Sequence, residues 1–258
     1  MTRRRRRLAR TRAAAADWLV AGTDLAGALW RRVRPRVPVV GDGDPGCAEI
    51  PVVILPGILE PWTYLAPMGN WFGELGHPVH YVETLGWNLA DVARSAERCR
   101  DVLRERGVDE AVIVAHSKGG LIGKAAMALS RQAHSGETAS ASPEGQFVGM
   151  VTVATPFGGS SLGGRLQRLP GVRRTPLGMF LPGSTQLVSL AAERAVNERI
   201  VSLAPAWDQV IPEGSHLEGA LNVRLDVPGH FRPVRDEDVW RTIHEHIHLL
   251  ADAPHSQW

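Results

Sequence analysis

Hydrophobic and polar positions follow two alternating patterns between residues 51 and 250. Longer segments, in which apolar residues recur every three to four positions, predict helices over residues 61–75, 90–107, 119–133 and 236–250. Short apolar runs predict strands, and the alternation of the two predicts an α/β protein with a mostly parallel, twisted sheet covered by helices on both faces. The predicted strands span residues 51–55, 77–85, 111–115, 147–154, 199–203 and 220–225.

The first 36 residues have a different pattern from the rest, so we divide the chain into residues 1–36 and a domain over residues 37–258. A cationic tract, Met1–Arg12, leads into a predicted amphipathic helix. Asp17 and Asp24 interrupt its apolar content well short of the ~20 residues that a membrane span needs. On a helical wheel these aspartates share one arc with Arg31 and Arg32, and the opposite arc carries Trp18, Leu19, Gly22, Leu25, Ala26, Leu29 and Trp30.

Three interpretations of this N-terminal segment stay open. It is a helix packed on the domain with a solvated arginine tail, an anchor on an anionic membrane surface, or a twin-arginine export signal. The two aspartates argue against the export signal. We therefore expect a cytoplasmic protein, with peripheral attachment to a membrane as the alternative.

Residues 158–198 form a long connection between two predicted strands. Its leucines, Met179 and Phe180 make it too apolar for a solvated loop. Long inserts at this edge of a sheet usually shape access to a site. We predict a small cap or lid here.

Composition narrows the function classes. The 258 residues are 44% hydrophobic and 22% charged, which is typical of a globular protein. A net charge of +2 gives no reason to expect nucleic acid as a partner. Cys47 and Cys99 have no metal-ligand spacing, and we expect free thiols. The oligomeric state cannot be read from these features.

A serine stands where an apolar strand changes abruptly into a helix. Ser117 follows the run Val112–Ala115 and His116, and small residues, Ala115 and Gly119, flank it two positions away on either side. A turn this sharp strains its apex residue and pushes the side chain out of the sheet. Small neighbours are needed there because bulky ones would clash. Ser117 is therefore a candidate nucleophile.

The partners that such a serine requires follow it in a suitable order. Asp208 and His230 lie on loops after consecutive predicted strands, where catalytic groups collect in open α/β sheets. His216 is the rival base and Asp226 the rival acid. His116 is interpreted as a buried polar group bonded to the backbone.

A candidate oxyanion hole lies after the first predicted strand. That strand ends in Pro56-Gly57, and glycine allows close approach of the backbone to a carbonyl oxygen. We predict that the backbone N–H groups of Ile58 and Lys118 face the oxyanion, each donor being worth roughly 3 kcal/mol to the transition state.

The segment Ala115–Gly120, Ala-His-Ser-Lys-Gly-Gly, resembles the nucleophile elbow of bacterial lipases and esterases of the α/β-hydrolase superfamily. Residues 151–160, 207–212 and 229–230 resemble the segment before the cap, the acid loop and the histidine loop of those enzymes. The resemblance covers roughly residues 50–250. Pro56 departs from it, because many relatives have histidine before the oxyanion glycine.

This resemblance implies an α/β-hydrolase fold and a Ser117–His230–Asp208 triad that cleaves carboxylic esters, lipid or acyl esters in particular, without a cofactor. An amidase or thioesterase on the same triad and a non-catalytic binding module are the alternatives. The cap of such enzymes forms the acyl-binding wall. We expect the substrate to contact Leu59, Phe157, Met179, Phe180 and Leu181.

One motif is typical of a different class of enzyme, the zinc proteases. His244, Glu245 and His248 satisfy the zinc-protease pattern H-E-x-x-H on a predicted helix. Only His255 remains downstream as a third ligand. Core-facing residues on the same helix explain the stretch without a metal, and we expect no metal site.

Overall fold

A computed structural model describes residues 3–33, 49–135, 146–162 and 180–253 of the chain. The strands within these residues are β1 (Val52–Leu55), β2 (Val79–Tyr81), β3 (Glu110–His116), β4 (Gln146–Val153), β5 (Ile200–Ala204) and β6 (Leu221–Arg224). They form one parallel sheet in the order β2–β1–β3–β4–β5–β6. The predicted parallel sheet is confirmed.

The second strand is shorter than predicted. Residues 77–85 were expected to be extended throughout, but β2 covers only Val79–Tyr81, and a 3-10 turn follows at Glu83–Leu85. Val82 leaves the extended region, with φ −93° and ψ 78°. The apolar run predicted too long a strand because Val82 and Leu85 are buried at and within a turn rather than in a strand.

Helices cover both faces of the sheet, as the sequence predicts. They are α2 (Ala66–Glu74), preceded by a 3-10 turn at Trp62–Leu65, α3 (Val92–Glu105), α4 (Lys118–Ser135), α5 (Thr185–Ala192) and α6 (Glu237–Ala251). Val53 and Leu55 of β1 face one hydrophobic core with α3 and α4. Val52 and Ile54 face a second core with α2 and α6. Successive side chains of a strand point to opposite faces, so one strand supplies both cores.

A long N-terminal helix, α1 (Arg3–Val33), packs against this α/β body. Ala28 is fully buried in the second core. The Thr63 hydroxyl donates to the Ala28 carbonyl at 2.9 Å, and the Arg31 guanidinium donates to the Thr63 carbonyl at 3.2 Å. Trp18 contacts Phe231, with ring centroids 5.3 Å apart. Of the three interpretations of this segment, the packed helix describes where α1 lies.

The orientation of α1 corrects the helical-wheel prediction. Asp17 and Asp24 were placed on the polar arc, opposite the apolar one, but they are only 0% and 8% exposed and face the body. Leu19 and Trp30, on the apolar arc, are 70% and 61% exposed instead. Both carboxylates face the body because they accept hydrogen bonds from it: Asp17 from the His230 N–H and Asp24 from the Arg235 guanidinium. No helix among the described residues is long and apolar enough to cross a membrane.

The predicted cap lies partly within the described residues. Residues 158–162 and 180–198 are described, and they include α5 and the buried Phe180. Met179 and Cys47 lie outside the described residues, and so does His255. Cys99 is a buried free thiol. A cap over residues 158–198 stays a prediction.

Candidate active site

Ser117 occupies the apex of the turn between β3 and α4. Its φ of +52° lies in the left-handed region, which a residue with a side chain rarely adopts. Hydrogen bonds hold the turn in place: Ser117 N–H donates to the Val153 carbonyl at 2.9 Å, and the Thr155 hydroxyl donates to the Ser117 carbonyl at 2.9 Å. A side chain on Gly119 would collide with the Leu55 carbonyl. This close contact explains why a small residue is needed two positions after Ser117.

His230 and Asp208 converge on Ser117. The His230 Nε2 atom is 3.1 Å from Ser117 Oγ, and His230 Nδ1 is 2.8 Å from Asp208 Oδ2. All three residues are at least 92% buried, since their exposures are 8%, 2% and 7%. The other oxygen of Asp208 accepts the amides of Val210 at 2.7 Å and Ile211 at 2.8 Å. The structure thus brings together the three side chains proposed from the sequence.

The electrostatics of this cluster favour an ionised Asp208. Burial alone would raise the pKa of the Asp208 carboxyl. The neighbouring His230 and the amides of Ile211 and Val210 outweigh burial, and the pKa lies below its ordinary value. An ionised carboxylate only accepts hydrogen bonds, so Nδ1 of His230 carries a proton, and in the neutral imidazole Nε2 is the acceptor that faces Ser117 Oγ.

The rival residues are placed elsewhere. His216 and Asp226 are exposed on the surface. His116 is fully buried, and its Nε2 lies 3.1 Å from the His230 carbonyl. Its Nδ1 lies 2.9 Å from Glu60 Oε2. The prediction of a buried, backbone-bonded His116 is confirmed, and the ion pair with Glu60 is an addition to it.

Asp17 of α1 is a part of this site that the sequence analysis missed. Its buried carboxylate accepts the amides of His230 at 2.8 Å, Phe231 at 3.1 Å and Arg232 at 2.8 Å. Gln209, next to Asp208, also donates to it. The histidine loop approaches α1 so closely that a Cβ on Gly229 would overlap the Asp17 carboxylate. Gly229 also has a φ of +112°, which a residue with a side chain rarely adopts. The N-terminal helix therefore holds the histidine loop directly.

The proposed oxyanion donors lie at the carboxyl ends of adjacent strands. Gly57 and Ile58 follow β1, and Lys118 follows Ser117 at the first turn of α4, where an N–H has no partner within the helix. Gly57 N–H donates to Glu60 at 2.6 Å, which fixes the loop. The Lys118 side chain points away, and its ammonium donates to the carbonyls of Asn88 at 2.7 Å and Ala90 at 2.5 Å. Burial lowers the pKa of this ammonium to about 8.

A cavity of about 480 Å³ opens beside Ser117. This volume falls within the range of small-molecule sites. Helix α1 forms one wall. Besides Ser117 and His230, the residues that line the cavity are Trp18, Ala21, Gly22, Leu25, Ile58, Leu59, Glu60, Tyr64, Pro156, Ser160, Leu162, Phe180, Val210, Ile211 and Phe231.

The substrate contacts expected from the sequence are met in part. Leu59 and Phe180 line the cavity. Phe157 and Leu181 do not belong to the described lining. Phe157 packs against the core on the α3–α4 face instead, and its N–H donates to the Thr155 carbonyl at 3.0 Å in a tight turn. Met179 lies outside the described residues.

Comparison with known proteins gives matches among solved structures. No family model and no curated protein matches the chain. The lipase BlEst2 of Bacillus licheniformis in its mature form superposes with a TM-score of 0.57 at 16% identity, over 82% of this chain and 95% of that one. A predicted CIB-like hydrolase of Thermoplasma acidophilum gives 0.50 at 15% identity, over 83% and 90%. A monoacylglycerol lipase of Paleococcus ferrophilus gives 0.50 at 14% identity, over 80% and 97%.

These matches extend over nearly the full length of the three proteins. The chain has the α/β-hydrolase fold. In such a fold the strand order reverses between β1 and β3, because the chain passes from β1 to β2 on one side and then crosses to β3 on the other. Crevices form at such reversals, outside the carboxyl ends of the strands. In this α/β-hydrolase fold, Gly57 and Ser117 lie at that crevice.

Proposed function

We propose that this chain is a serine hydrolase that cleaves carboxylic esters through Ser117, His230 and Asp208. One observation carries the proposal: a single imidazole lies 3.1 Å from the serine hydroxyl on one side and 2.8 Å from a buried carboxylate on the other. Nucleophile, base and orienting acid within hydrogen-bond reach are the general signature of nucleophilic catalysis. The strained backbone of Ser117 supports the same role, because strain of this kind clusters at active sites.

In the first half of the reaction, Ser117 becomes acylated. His230 Nε2 takes the hydroxyl proton while Oγ forms a bond to the ester carbon, and the carbonyl electron pair moves onto oxygen. The amides of Ile58 and Lys118 stabilise that oxyanion. The carbonyl then re-forms, the bond to the alkoxide breaks, and the alcohol leaves with the proton from His230.

In the second half, water replaces the alcohol. His230 takes a proton from water, and the resulting hydroxide oxygen bonds to the acyl carbon. The second tetrahedral intermediate expels Ser117 Oγ, which regains its proton from His230, and the carboxylic acid departs. Throughout, Asp208 keeps the imidazole in one tautomer, and Asp17 acts as a positioning residue that anchors its backbone.

The cavity supports an acyl or lipid ester as the substrate. Apart from Ser117, His230, Glu60, Tyr64 and Ser160, its lining is aliphatic or aromatic. Burying an apolar chain there gains about 0.8 kcal/mol for each methylene group. A polar acyl group would gain no comparable free energy.

The rim of the cavity and the exposed side of α1 support delivery of that substrate from an anionic membrane. Trp18 and Leu59 line the cavity and are also 53% and 54% exposed, so its rim is apolar. The exposed side of α1 adds Leu19 and Trp30, and the helix begins in a run of arginines. Exposed apolar patches of this kind mark interaction sites, and tryptophan with arginine suits lipid headgroups.

Hydrolysis of p-nitrophenyl esters tests the catalytic proposal. We expect Ser117→Ala, His230→Ala and Asp208→Asn to lose activity by about 10⁴-fold or more. The matched controls are His216→Ala and Asp226→Asn, which we expect to retain it. If either control variant were inactive and its counterpart active, the assignment of base or acid would be wrong.

Vesicle sedimentation tests the membrane proposal. The full chain is expected to pellet with anionic vesicles and to remain in solution with zwitterionic ones. Trp30→Ser should weaken the binding, whereas Leu249→Ser, at a 63% exposed leucine on α6, should not. Equal loss in both variants, or equal binding to both kinds of vesicle, would contradict the proposed surface.

A further inference from the structure

Three histidines converge near the amino ends of the strands, at the opposite end of the sheet from Ser117. His77 lies in the loop that enters β2, and His244 and His248 lie one turn apart on α6. One ring nitrogen from each histidine lies within 4.8 Å of the other two. The Nε2 atoms of His244 and His248 are 3.1 Å apart. Two distant parts of the chain thus direct imidazoles at one point.

His77 is the residue that decides what this cluster can bind. It is 1% exposed, and its Nδ1 lies 2.8 Å from the Ile50 carbonyl. A carbonyl only accepts, so Nδ1 carries the proton and Nε2 presents a lone pair. Among the described residues, no group makes a hydrogen bond to that buried Nε2. A buried acceptor without a partner calls for an explanation such as a bound ion.

The surroundings match those of histidine ligands. A histidine that binds a metal through Nε2 usually donates its Nδ1–H to a carbonyl or carboxylate, which fixes the tautomer. Ile50 provides the carbonyl for His77. Glu49 provides a carboxylate oxygen 3.7 Å from Nδ1 of His248. Ile50 and Glu49 both belong to the segment that enters β1.

We propose that His77, His244 and His248 bind one Zn²⁺ ion through their Nε2 atoms. Zinc–nitrogen bonds of about 2.0–2.1 Å in a tetrahedron place the nitrogens about 3.3 Å apart, close to the spacing of the two helical histidines. Three imidazoles leave a fourth position for water. From the sequence, zinc was not expected because only His255 follows the helical pair as a third ligand; the fold brings His77 to the pair instead.

The position of the site indicates a structural role. Zinc would join α6 to the segment that enters β2, whereas Ser117 lies at the carboxyl ends of the strands. A metal that binds only the folded chain stabilises it by mass action. We therefore expect metal removal to lower the melting temperature and to leave ester hydrolysis by the folded protein intact.

Cobalt titration of the untagged full chain, after removal of metal by a chelator, tests the proposal. We expect one Co²⁺ for each chain, with the intense visible bands of a tetrahedral site, and displacement by one Zn²⁺. His248→Ala changes a half-exposed ligand, and we expect it to abolish the bands. The matched control is His246→Ala on the same helix, whose Nδ1 lies 2.7 Å from the Thr242 carbonyl. We expect it to bind cobalt normally.

Three further measurements complete the test. Zn²⁺ should raise the melting temperature of the parent chain and of Ser117→Ala, and should leave that of His248→Ala unchanged. Glu49→Gln should weaken zinc binding about 10-fold or more. Circular dichroism establishes that each variant is folded. No stoichiometric binding by the parent chain, unchanged binding in His248→Ala, or equal loss in His246→Ala would overturn the proposal.

Discussion

Removal of the Asp17 carboxylate is the most informative perturbation of this protein. Asp17 lies on α1, far from His230 in the sequence, yet three consecutive amides of the histidine loop donate to it. Asp17→Asn has nearly the same shape. The new side chain, however, carries an NH₂ group where Asp17 has one of its two acceptor oxygens. That NH₂ group cannot accept the backbone N–H groups of the histidine loop, and the negative charge is lost.

The size of the effect follows from these contacts. Asp17 is fully buried, so water does not readily replace its oxygens. A buried donor left without an acceptor costs about 1–3 kcal/mol, and the variant keeps one acceptor oxygen. Two lost partners therefore predict a decrease of about 3 kcal/mol in the free energy of unfolding. A shift of the imidazole by about 1 Å predicts a 10²-fold lower kcat.

The assay compares Asp17→Asn with Asp24→Asn. Asp24 is also a buried aspartate of α1, but it pairs with Arg235 at 2.5 Å and does not contact the histidine loop. Both variants weaken the docking of α1. Kinetics with a short soluble ester, at a temperature where both are folded, should show a low kcat and nearly unchanged KM for Asp17→Asn only. The pH dependence of kcat should also change only in that variant.

Two results would refute this reasoning. If Asp17→Asn kept the kcat of the parent protein, the histidine loop would hold its position without α1. If Asp24→Asn lost kcat to the same extent, general undocking of the helix would explain the effect, and Asp17 would have no specific positioning role.

Three further predictions concern the cavity, the buried ion pair and the elbow. A Cβ on Gly22 meets open space, so Gly22→Phe should fill the cavity and lower kcat/KM for long acyl esters about 10-fold relative to short ones, while Gly22→Ala keeps the parent preference. Burial lowers the pKa of His116, but Glu60 outweighs it and the net pKa is raised above 6.5. The His116–Glu60 pair should therefore contribute its full stabilisation below pH 6.5 and lose it as the pH rises through the raised pKa of His116. Urea unfolding of the parent chain should show this decrease in the free energy of unfolding, and urea unfolding of His116→Gln should not. Gly119→Ala should cost about 3 kcal/mol in urea unfolding because its methyl group meets the Leu55 carbonyl; unchanged stability would contradict the tight elbow.

The sheet and its helices were predictable because their signals are local. Strands β1, β3, β4 and β5 are short, largely buried apolar runs, and α2, α3, α4 and α6 have a regular apolar spacing that burial in the two cores explains. The elbow was also predictable, since its small residues are required by contacts within a few residues of Ser117. The order of Asp208 and His230 after two successive strands placed them at one edge of the sheet before their distances were known.

The N-terminal helix could not be oriented from its sequence. The helical wheel places Asp17 and Asp24 opposite the apolar arc, and it cannot represent the donors of a loop more than two hundred residues away. Their spacing of seven positions places both on one face of α1, but spacing alone does not show whether that face is buried or exposed. The three-histidine cluster was missed for a related reason, since His77 precedes the helical pair and joins it only through the fold.

Covalent labelling tests the central claim most directly. A fluorophosphonate reacts only with a serine that a neighbouring base activates. Peptide mass spectrometry should locate a single adduct on Ser117, and His230→Ala should prevent it. Ser160→Ala should label like the parent chain, because Ser160 also lines the cavity but donates its hydroxyl to the Val210 carbonyl at 2.6 Å. An unlabelled Ser117 in the folded parent chain, or equal labelling without His230, would contradict the proposed catalytic triad.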